Sequence, residues 1–212
     1  MSGPGGRTVT RWWWVRHAPV RSHGGRCYGQ SDVVADVSDE AAFRGLARTL
    51  PAPALWVTTH LQRTHQTADA ILAAGHPVPD RLIERDFAEQ HFGRWQGQPY
   101  DQIDRDLGGA AHKFWLAPAE YTPPEGESFV EVIARAGRAI ERFTRAHAGR
   151  DIVSVAHGGT IRAALQVALD IHPDRALGFA IDNLSITRIE HVDGPGEGGF
   201  WRVVGVNLPP AP

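Results

Sequence analysis

The sequence predicts an α/β fold: a three-layer α/β/α sandwich with a mostly parallel sheet. Two observations carry that expectation. Short β-branched and aromatic runs alternate along the chain with segments of helical periodicity, the order that lays helices on both faces of a parallel sheet. Three of the apolar runs also end in polar residues, at Arg16-His17, at Thr59-His60 shortly before Arg63, and at His157-Gly158-Gly159. Open α/β sheets bind their ligands just beyond the carboxyl ends of their strands. The 212 residues, 42% hydrophobic, suffice for one soluble domain, 1–212, with a full apolar core.

Residues 1–8 are small and polar and read as a flexible lead-in. Thr10 to Val15 is a buried strand, and its Trp12-Trp13-Trp14 run is expected to pack on both faces of the sheet rather than to stack on bases. After a Gly-rich loop, Ser38 can cap a helix to about Leu50, closed by Pro51. Leu55 to Thr59 is a second strand. Gln62 to Ala74 forms a helix with Ala68, Ile71 and Leu72 inward, Gly75 as its stop and Arg63 in its first turn. The region 81–127 is expected to be an appendage over the site, with one helix from Tyr100 to Leu107 and another around His112 to Trp115. A long helix follows from about Ser128 to His147, since Phe129, Ile133, Ala136, Ile140 and Phe143 recur on one face. Asp151 to Ala156 is a strand feeding a helix from Thr160 to about Leu169. Ser185 to His191 and Trp201 to Val206 read as final strands, and residues 209–212 as a loose tail.

Composition narrows the function classes. A net charge of −2 supplies no general positive field, so binding to nucleic acid or an anionic membrane is not expected. The apolar run Trp12 to Val15 is too short for a membrane span. Cys27 is the single cysteine, which excludes an internal disulfide and a cysteine-rich zinc site and makes a reducing cytoplasm the default. His23, His60, His65, His91 and His112 lack the spacing of a metal motif, so neither a metal nor a cofactor is expected. A homodimer is only the base-rate expectation.

In a parallel sheet the three polar strand ends gather at one edge. That edge would hold the guanidiniums of Arg16 and Arg63, the imidazoles of His17 and His157, and helix N-terminal amides, a combination suited to a phosphate dianion. Each piece also has a blander reading. His17 could be a satisfied structural histidine, Arg63 a surface residue of an amphipathic helix, and Gly158-Gly159 a tight strand-to-helix turn. Their joint occurrence favours the anion site.

Taken in order, these motifs resemble the histidine phosphatase superfamily, also called the phosphoglycerate mutase-like family, from about Arg11 to Asn207. Arg16-His17-Ala18 is similar to its Arg-His-Gly signature. The run from Leu61 to Ala68 resembles its Leu-x-Arg-x-x-Gln-Thr-Ala block, and Glu89 to Gly97 its acid-bearing loop. Pro124 to Ser128 resembles the Gly-Glu-Ser loop, His157-Gly158-Gly159 the second histidine block, and Asp182 to Ser185 a late Asn-x-Ser turn. The sequence departs from the pattern at Ala18, usually Gly, at Val20, often Thr, and at His23, often Asn. Arg21 and Arg26 are candidates for the missing contacts.

The resemblance implies that His17 is a nucleophile that becomes phosphohistidine, and that Arg16, Arg63, His157 and Gly158 hold the phosphoryl oxygens. It implies that His157 belongs to the catalytic set and that Glu89 is the proton donor. Glu84 and Asp86 are rival carboxylates read as a solvated turn. The implied activity is a metal-independent, histidine acid-type phosphomonoesterase acting on a small phosphorylated metabolite. Cys27 to Asp32 resembles members acting on α-ribazole phosphate, and a sugar phosphate is the other expectation. A phosphoglycerate mutase is the first alternative and a non-catalytic phospholigand-binding module the second. The short segment from Gln98 to Phe129 favours hydrolysis over the mutase.

Overall fold

The computed structural model describes residues 6–195 and 199–212; residues 1–5 of the expected lead-in lie outside this range. A six-stranded sheet forms the middle layer, in the order β3-β2-β4-β1-β5-β6. Its parallel half comprises β1 (Thr8–Arg16), β2 (Leu55–Thr58), β3 (Leu82–Ile83) and β4 (Asp151–Ala156). The antiparallel hairpin of β5 (Ile186–Asp193) and β6 (Phe200–Leu208) completes the sheet along the far edge of β1.

Helices α1 (Glu40–Thr49) and α2 (Gln62–Ala73) cover one face, and α4 (Phe129–Ala146) and α5 (Gly158–Leu169) the other, with the short α6 (Pro173–Leu177) beside α5. Helix α3 (Tyr100–Asp106) belongs to the region 81–127. Strand periodicity explains both cores. Trp12, Trp14, Ile152 and Ala156 face α4 and α5, while Val15, Val153 and Val155 face α1 and α2 with the half-buried Trp13. The tryptophan run therefore packs on both faces, as expected. Trp12 and Trp14 stack at 4.9 Å, and each meets Phe87 edge-on.

Several elements differ from the sequence reading. The first strand begins at Thr8. Asp39 rather than Ser38 caps α1, its carboxylate accepting from the Ala42 amide at 3.0 Å, where a negative charge also suits the helix dipole. Leu72 is exposed and turns outward beside Pro53 and Pro79; the buried side of α2 runs through Thr64, Thr67, Ala68 and Ile71 instead. Helix α5 starts at Gly158, two residues early, and α6 was not anticipated. No helix forms at His112 to Trp115. The left-handed pair Gly108-Gly109 and the nearby Pro118 leave room only for a turn closed from Trp115 N–H to His112 O at 3.3 Å. The 81–127 region contributes β3 to the sheet and Phe87 and Ala119 to the main core, and builds a satellite core of Cys27, Phe92, Trp95, Ile103, Leu107 and Ala117. Residues 209–212 run along α1, where the Ala211 amide donates to Thr49 Oγ1 at 3.3 Å.

Because Trp14 is buried against Trp12 and Phe87, Trp14→Ala should cost ~3–5 kcal/mol of unfolding free energy. Urea titration checks this, and a loss below about 1 kcal/mol would contradict the packing described.

Candidate active site

Strands β1 and β4 run parallel with Arg16 opposite Ala156, so the residues that follow them, His17 and His157, emerge side by side. Their ring centroids are 5.2 Å apart. The His17 amide donates to Ala156 O at 3.0 Å, and the turn at Asp182 to Ser185 holds the same strand end from the other side. There Asn183 Nδ2 donates to His17 O at 2.8 Å and the Leu184 amide to Arg16 O at 3.0 Å.

The tautomers of both rings follow from their partners. His17 Nδ1 lies 2.7 Å from Ala18 O, an oxygen that only accepts, so Nδ1 carries the proton and Nε2 is left with a lone pair. His157 Nδ1 accepts from Arg63 Nε at 3.3 Å, and its Nε2 faces Thr59 Oγ1 at 3.0 Å, so here the proton sits on Nε2. Burial, then the charges of Arg63 and Arg16, hold the His17 pKa well below its ordinary 6.5. Burial, then Arg63 and His17, do the same to His157. Both rings are neutral near pH 7.

The arginines differ in their setting. Arg63 is fully buried under the Tyr28 ring, 5.2 Å from its centroid. Its three nitrogens are engaged with His157, with Ser31 O at 2.9 Å and with Gly29 O at 2.7 Å. Arg63 thus anchors the 27–32 loop as well as the second imidazole, and burial is the main cause of its lowered pKa. Arg16 fixes one end to Ile181 O at 2.5 Å. Its Nε is buried without a hydrogen-bond partner among the described residues, a donor left for a ligand. Gly158 lies beside this guanidinium: a Cβ there would sit 3.7 Å from Arg16 Nε and 3.1 Å from Arg162 Nη1.

Glu89 is buried against the glycine turn that follows His157. Its Oε1 accepts from the Gly159 amide at 3.1 Å and from the Gln90 amide at 2.9 Å. A Cβ on residue 159 would stand 2.2 Å from that oxygen, so the second glycine of the motif makes room for the carboxylate. The Glu89 loop is braced from behind. Arg135 on α4 donates to Glu89 O at 3.0 Å and Asp86 O at 2.6 Å, and pairs with Glu127 at 2.8 Å. Glu127 in turn accepts from the His91 amide at 2.8 Å. Gly93, at φ 53°, lets Pro124 pass so close that a Cβ would lie 2.0 Å from its carbonyl.

A cleft of about 380 Å³ opens against part of this set. Arg16 and Glu89 line it with Cys27, Tyr28, Phe92, Tyr100 and the Lys113 to Leu116 run. His17 lies just behind the wall, its ring 6.5 Å from that of Tyr28. Burial pushes the Cys27 thiol and the Tyr100 phenol both up to about 12, so neither adds negative charge.

The rival carboxylates lie elsewhere. Glu84 caps the turn Arg85–Phe87 and pairs with Arg142, while Asp86 stands in that turn. Arg21 pairs with Asp36, and Arg26 donates to Gly97 O at 2.9 Å; neither lines the cleft. Among the described residues no group of three His, Cys, Asp or Glu side chains could hold a metal ion, and no helix is long and apolar enough to cross a membrane.

One cation was missed in the sequence. Arg162 lies nearly buried on α5, one turn beyond Gly158, with its guanidinium 4.8 Å from the Trp115 ring centroid and its Nε donating to Phe179 O at 2.9 Å. Burial lowers its pKa to about 10, which leaves it charged at neutral pH. The available signal was an arginine inside the otherwise apolar stretch Ile161 to Leu165, four residues after the first glycine of the turn.

The histidine geometry fixes a spectroscopic expectation. Long-range ¹H–¹⁵N spectra at about pH 6 should show both rings neutral, with the proton on Nδ1 of His17 and on Nε2 of His157. An imidazolium at His157 would contradict the acceptance of the Arg63 Nε–H by its Nδ1, and one at His17 would contradict the lowering of its pKa by burial and the two arginines. The unfolded chain binds protons near pH 6.5 that the folded chain refuses, so both groups make stability fall as pH drops below that value.

Residues 12–207 match the model of the histidine phosphatase superfamily (branch 1). A glucosyl-3-phosphoglycerate phosphatase of Mycolicibacterium vanbaalenii is 34% identical over 182 residues, 80% of this chain and 75% of that protein. The bifunctional protein Rv2228c of Mycobacterium tuberculosis is 34% identical over 115 residues, 54% of this chain. That match covers only 30% of the relative's length. The mycobacterial glucosyl-3-phosphoglycerate phosphatase Rv2419c, solved with inorganic phosphate, superposes with a TM-score of 0.77 at 26% identity, covering 94% of this chain and 97% of that one. The chain belongs to the histidine phosphatase superfamily, branch 1.

Proposed function

We propose that the protein is a metal-independent phosphomonoesterase that works through a phosphohistidine on His17, with a small phosphorylated metabolite as substrate. The observation that carries this reading is the neutral His17 ring with Nδ1 tied to Ala18 O, which leaves Nε2 free to attack phosphorus without first losing a proton. Family membership and the phosphate complex of a relative support it.

In the first step Nε2 of His17 bonds to phosphorus as the bond to the ester oxygen breaks, and Glu89 acts as general acid, giving a proton to the departing alkoxide. In the second, Glu89 takes a proton from water as the water oxygen bonds to phosphorus and the N–P bond breaks, returning the electron pair to Nε2. Arg16, through its free Nε, and Arg63, His157 and the Gly158 turn stabilise the equatorial oxygens of the transferred group. Arg162 adds positive charge on the Glu89 side of the cleft. Residues 81–127 act as the appendage that shapes the leaving-group side, and 1–212 as a single domain. Among substrates, a sugar phosphate has the support of the glucosyl-3-phosphoglycerate phosphatase relatives, and the Cys27 to Asp32 stretch favours α-ribazole phosphate.

The test is hydrolysis of p-nitrophenyl phosphate in excess chelator. Activity should persist for the wild type and fall by roughly a thousandfold or more in His17→Ala. Chelator-sensitive turnover or an unimpaired variant would contradict the mechanism, and phosphoryl transfer between phosphoglycerates that outpaces hydrolysis would indicate a mutase. Glu89→Gln should lose roughly a hundredfold or more on esters of high-pKa alcohols and clearly less on nitrophenyl phosphate, whose leaving group needs no proton. Equal losses on the two substrates would remove the acid assignment. Gly159→Ala should mimic Glu89→Gln, because its methyl group takes the place of the carboxylate.

A further inference from the structure

Part of the cleft wall has a composition that the phosphoryl chemistry does not require. Phe92, Tyr100, Phe114 and Trp115 converge there with Lys113, the only lysine of the chain. Two of these rings are exposed to solvent, Tyr100 at 41% and Phe114 at 66%. An exposed ring of that size contributes little to folding. Phe114 is absent from the satellite core beneath, which closes over Cys27, Phe92 and Trp95 without it.

Trp115, by contrast, is fixed on every side. Its Nε1 donates to Gln90 Oε1 at 2.9 Å, its ring lies 6.0 Å from Phe92 and 6.5 Å from Phe129, and the Arg162 guanidinium covers it at 4.8 Å. The wall therefore pairs a rigid indole with two accessible aromatic rings, on the same cleft as Glu89, the proposed donor to the leaving oxygen.

We propose that this wall is the leaving-group site and that it selects phosphomonoesters whose alcohol carries a planar aromatic or heteroaromatic ring, with an anionic substituent on that ring facing Lys113. Flat rings gain from stacking on Phe114 and Tyr100, whereas small polyol phosphates reach only the phosphate end and leave the apolar wall wet. The ammonium of Lys113 then separates substituted rings by charge. This assignment rests on the phosphatase reading above and narrows its substrate class.

Matched pairs of esters test it. A purine ribonucleoside 5′-monophosphate and ribose 5-phosphate share the reacting alcohol and differ by the ring. The nucleoside ester should show kcat/KM at least roughly tenfold higher, equivalent to about 1.4 kcal/mol. Phe114→Ala, a change at an exposed position that should leave folding intact, should collapse that ratio toward one. Lys113→Met should likewise abolish a preference for 4-carboxybenzyl phosphate over benzyl phosphate. Equal turnover of the first pair by the wild type, or a ratio that Phe114→Ala leaves unchanged, overturns the assignment.

Calorimetric binding of the first pair to His17→Asn separates this inference from the reading beneath it. Tighter binding of the nucleoside ester by a chain whose wild type hydrolyses no ester keeps the aromatic wall and removes the phosphatase. Hydrolysis of both esters with equal binding removes the wall and keeps the phosphatase.

Discussion

The site depends on a single constraint, the parallel register that sets Arg16 opposite Ala156 and so delivers two imidazoles to adjacent strand ends. Rings 5.2 Å apart and buried among arginines are both held toward the uncharged form, since burial and the nearby guanidiniums oppose an imidazolium at either. The backbone carbonyl of Ala18 and the Arg63 Nε–H then decide which nitrogen of each ring keeps its proton. Positive charge in the site therefore comes from guanidiniums, while the rings stay neutral, His17 with a lone pair on Nε2 and His157 with a proton there. A low-dielectric floor strengthens this division, because it raises the cost of protonating either ring and increases the pull of the arginines on an incoming dianion.

The second constraint is the placement of Glu89, which depends on contacts distant in sequence. The carboxylate rests on the Gly159 amide, its own backbone is held by Arg135, and Arg135 is held by Glu127. The Gly-Glu-Ser loop thus acts through position rather than contact with the cleft: Glu127 orients the arginine, and Ser128 starts α4 through a reciprocal capping box with Glu131. Arg135 ties α4 to the acid loop, so the helix that packs against α5 and its glycine turn also positions the carboxylate that reaches them.

Much of this was legible in the sequence because strand ends are marked locally. The alternating apolar runs identified β1, β2 and β4, the polar residues after them identified His17 and His157, and the long helical repeat identified α4. Sequence left the glycine pair after His157 open between ligand approach and a tight turn. The structure adds a third reason, the space Glu89 occupies at residue 159. What sequence could not supply was tertiary. Arg162 looks like any arginine on a helix until α5 is laid against Trp115. The cap moved from Ser38 to Asp39 because the neighbouring residue offered the better acceptor. Leu72 was misplaced because the buried side of α2 is set by polar Thr64 and Thr67, which periodicity of apolar residues does not register. The aromatic wall joins Phe92, Tyr100 and residues 113–115, segments whose meeting depends on loop shape.

The central claim is that one ring nitrogen forms a covalent bond to phosphorus. The most direct measurement is to stop a reaction with a rapidly turned-over phosphomonoester in alkali, which preserves phosphohistidine, and to locate the added phosphoryl mass by peptide mass spectrometry. The account predicts a transient adduct on the peptide containing His17 and on no other, present during turnover and gone once substrate is consumed. A phosphoryl group on another residue, or steady hydrolysis with no adduct when chemistry of the second step is made rate-limiting, would contradict it.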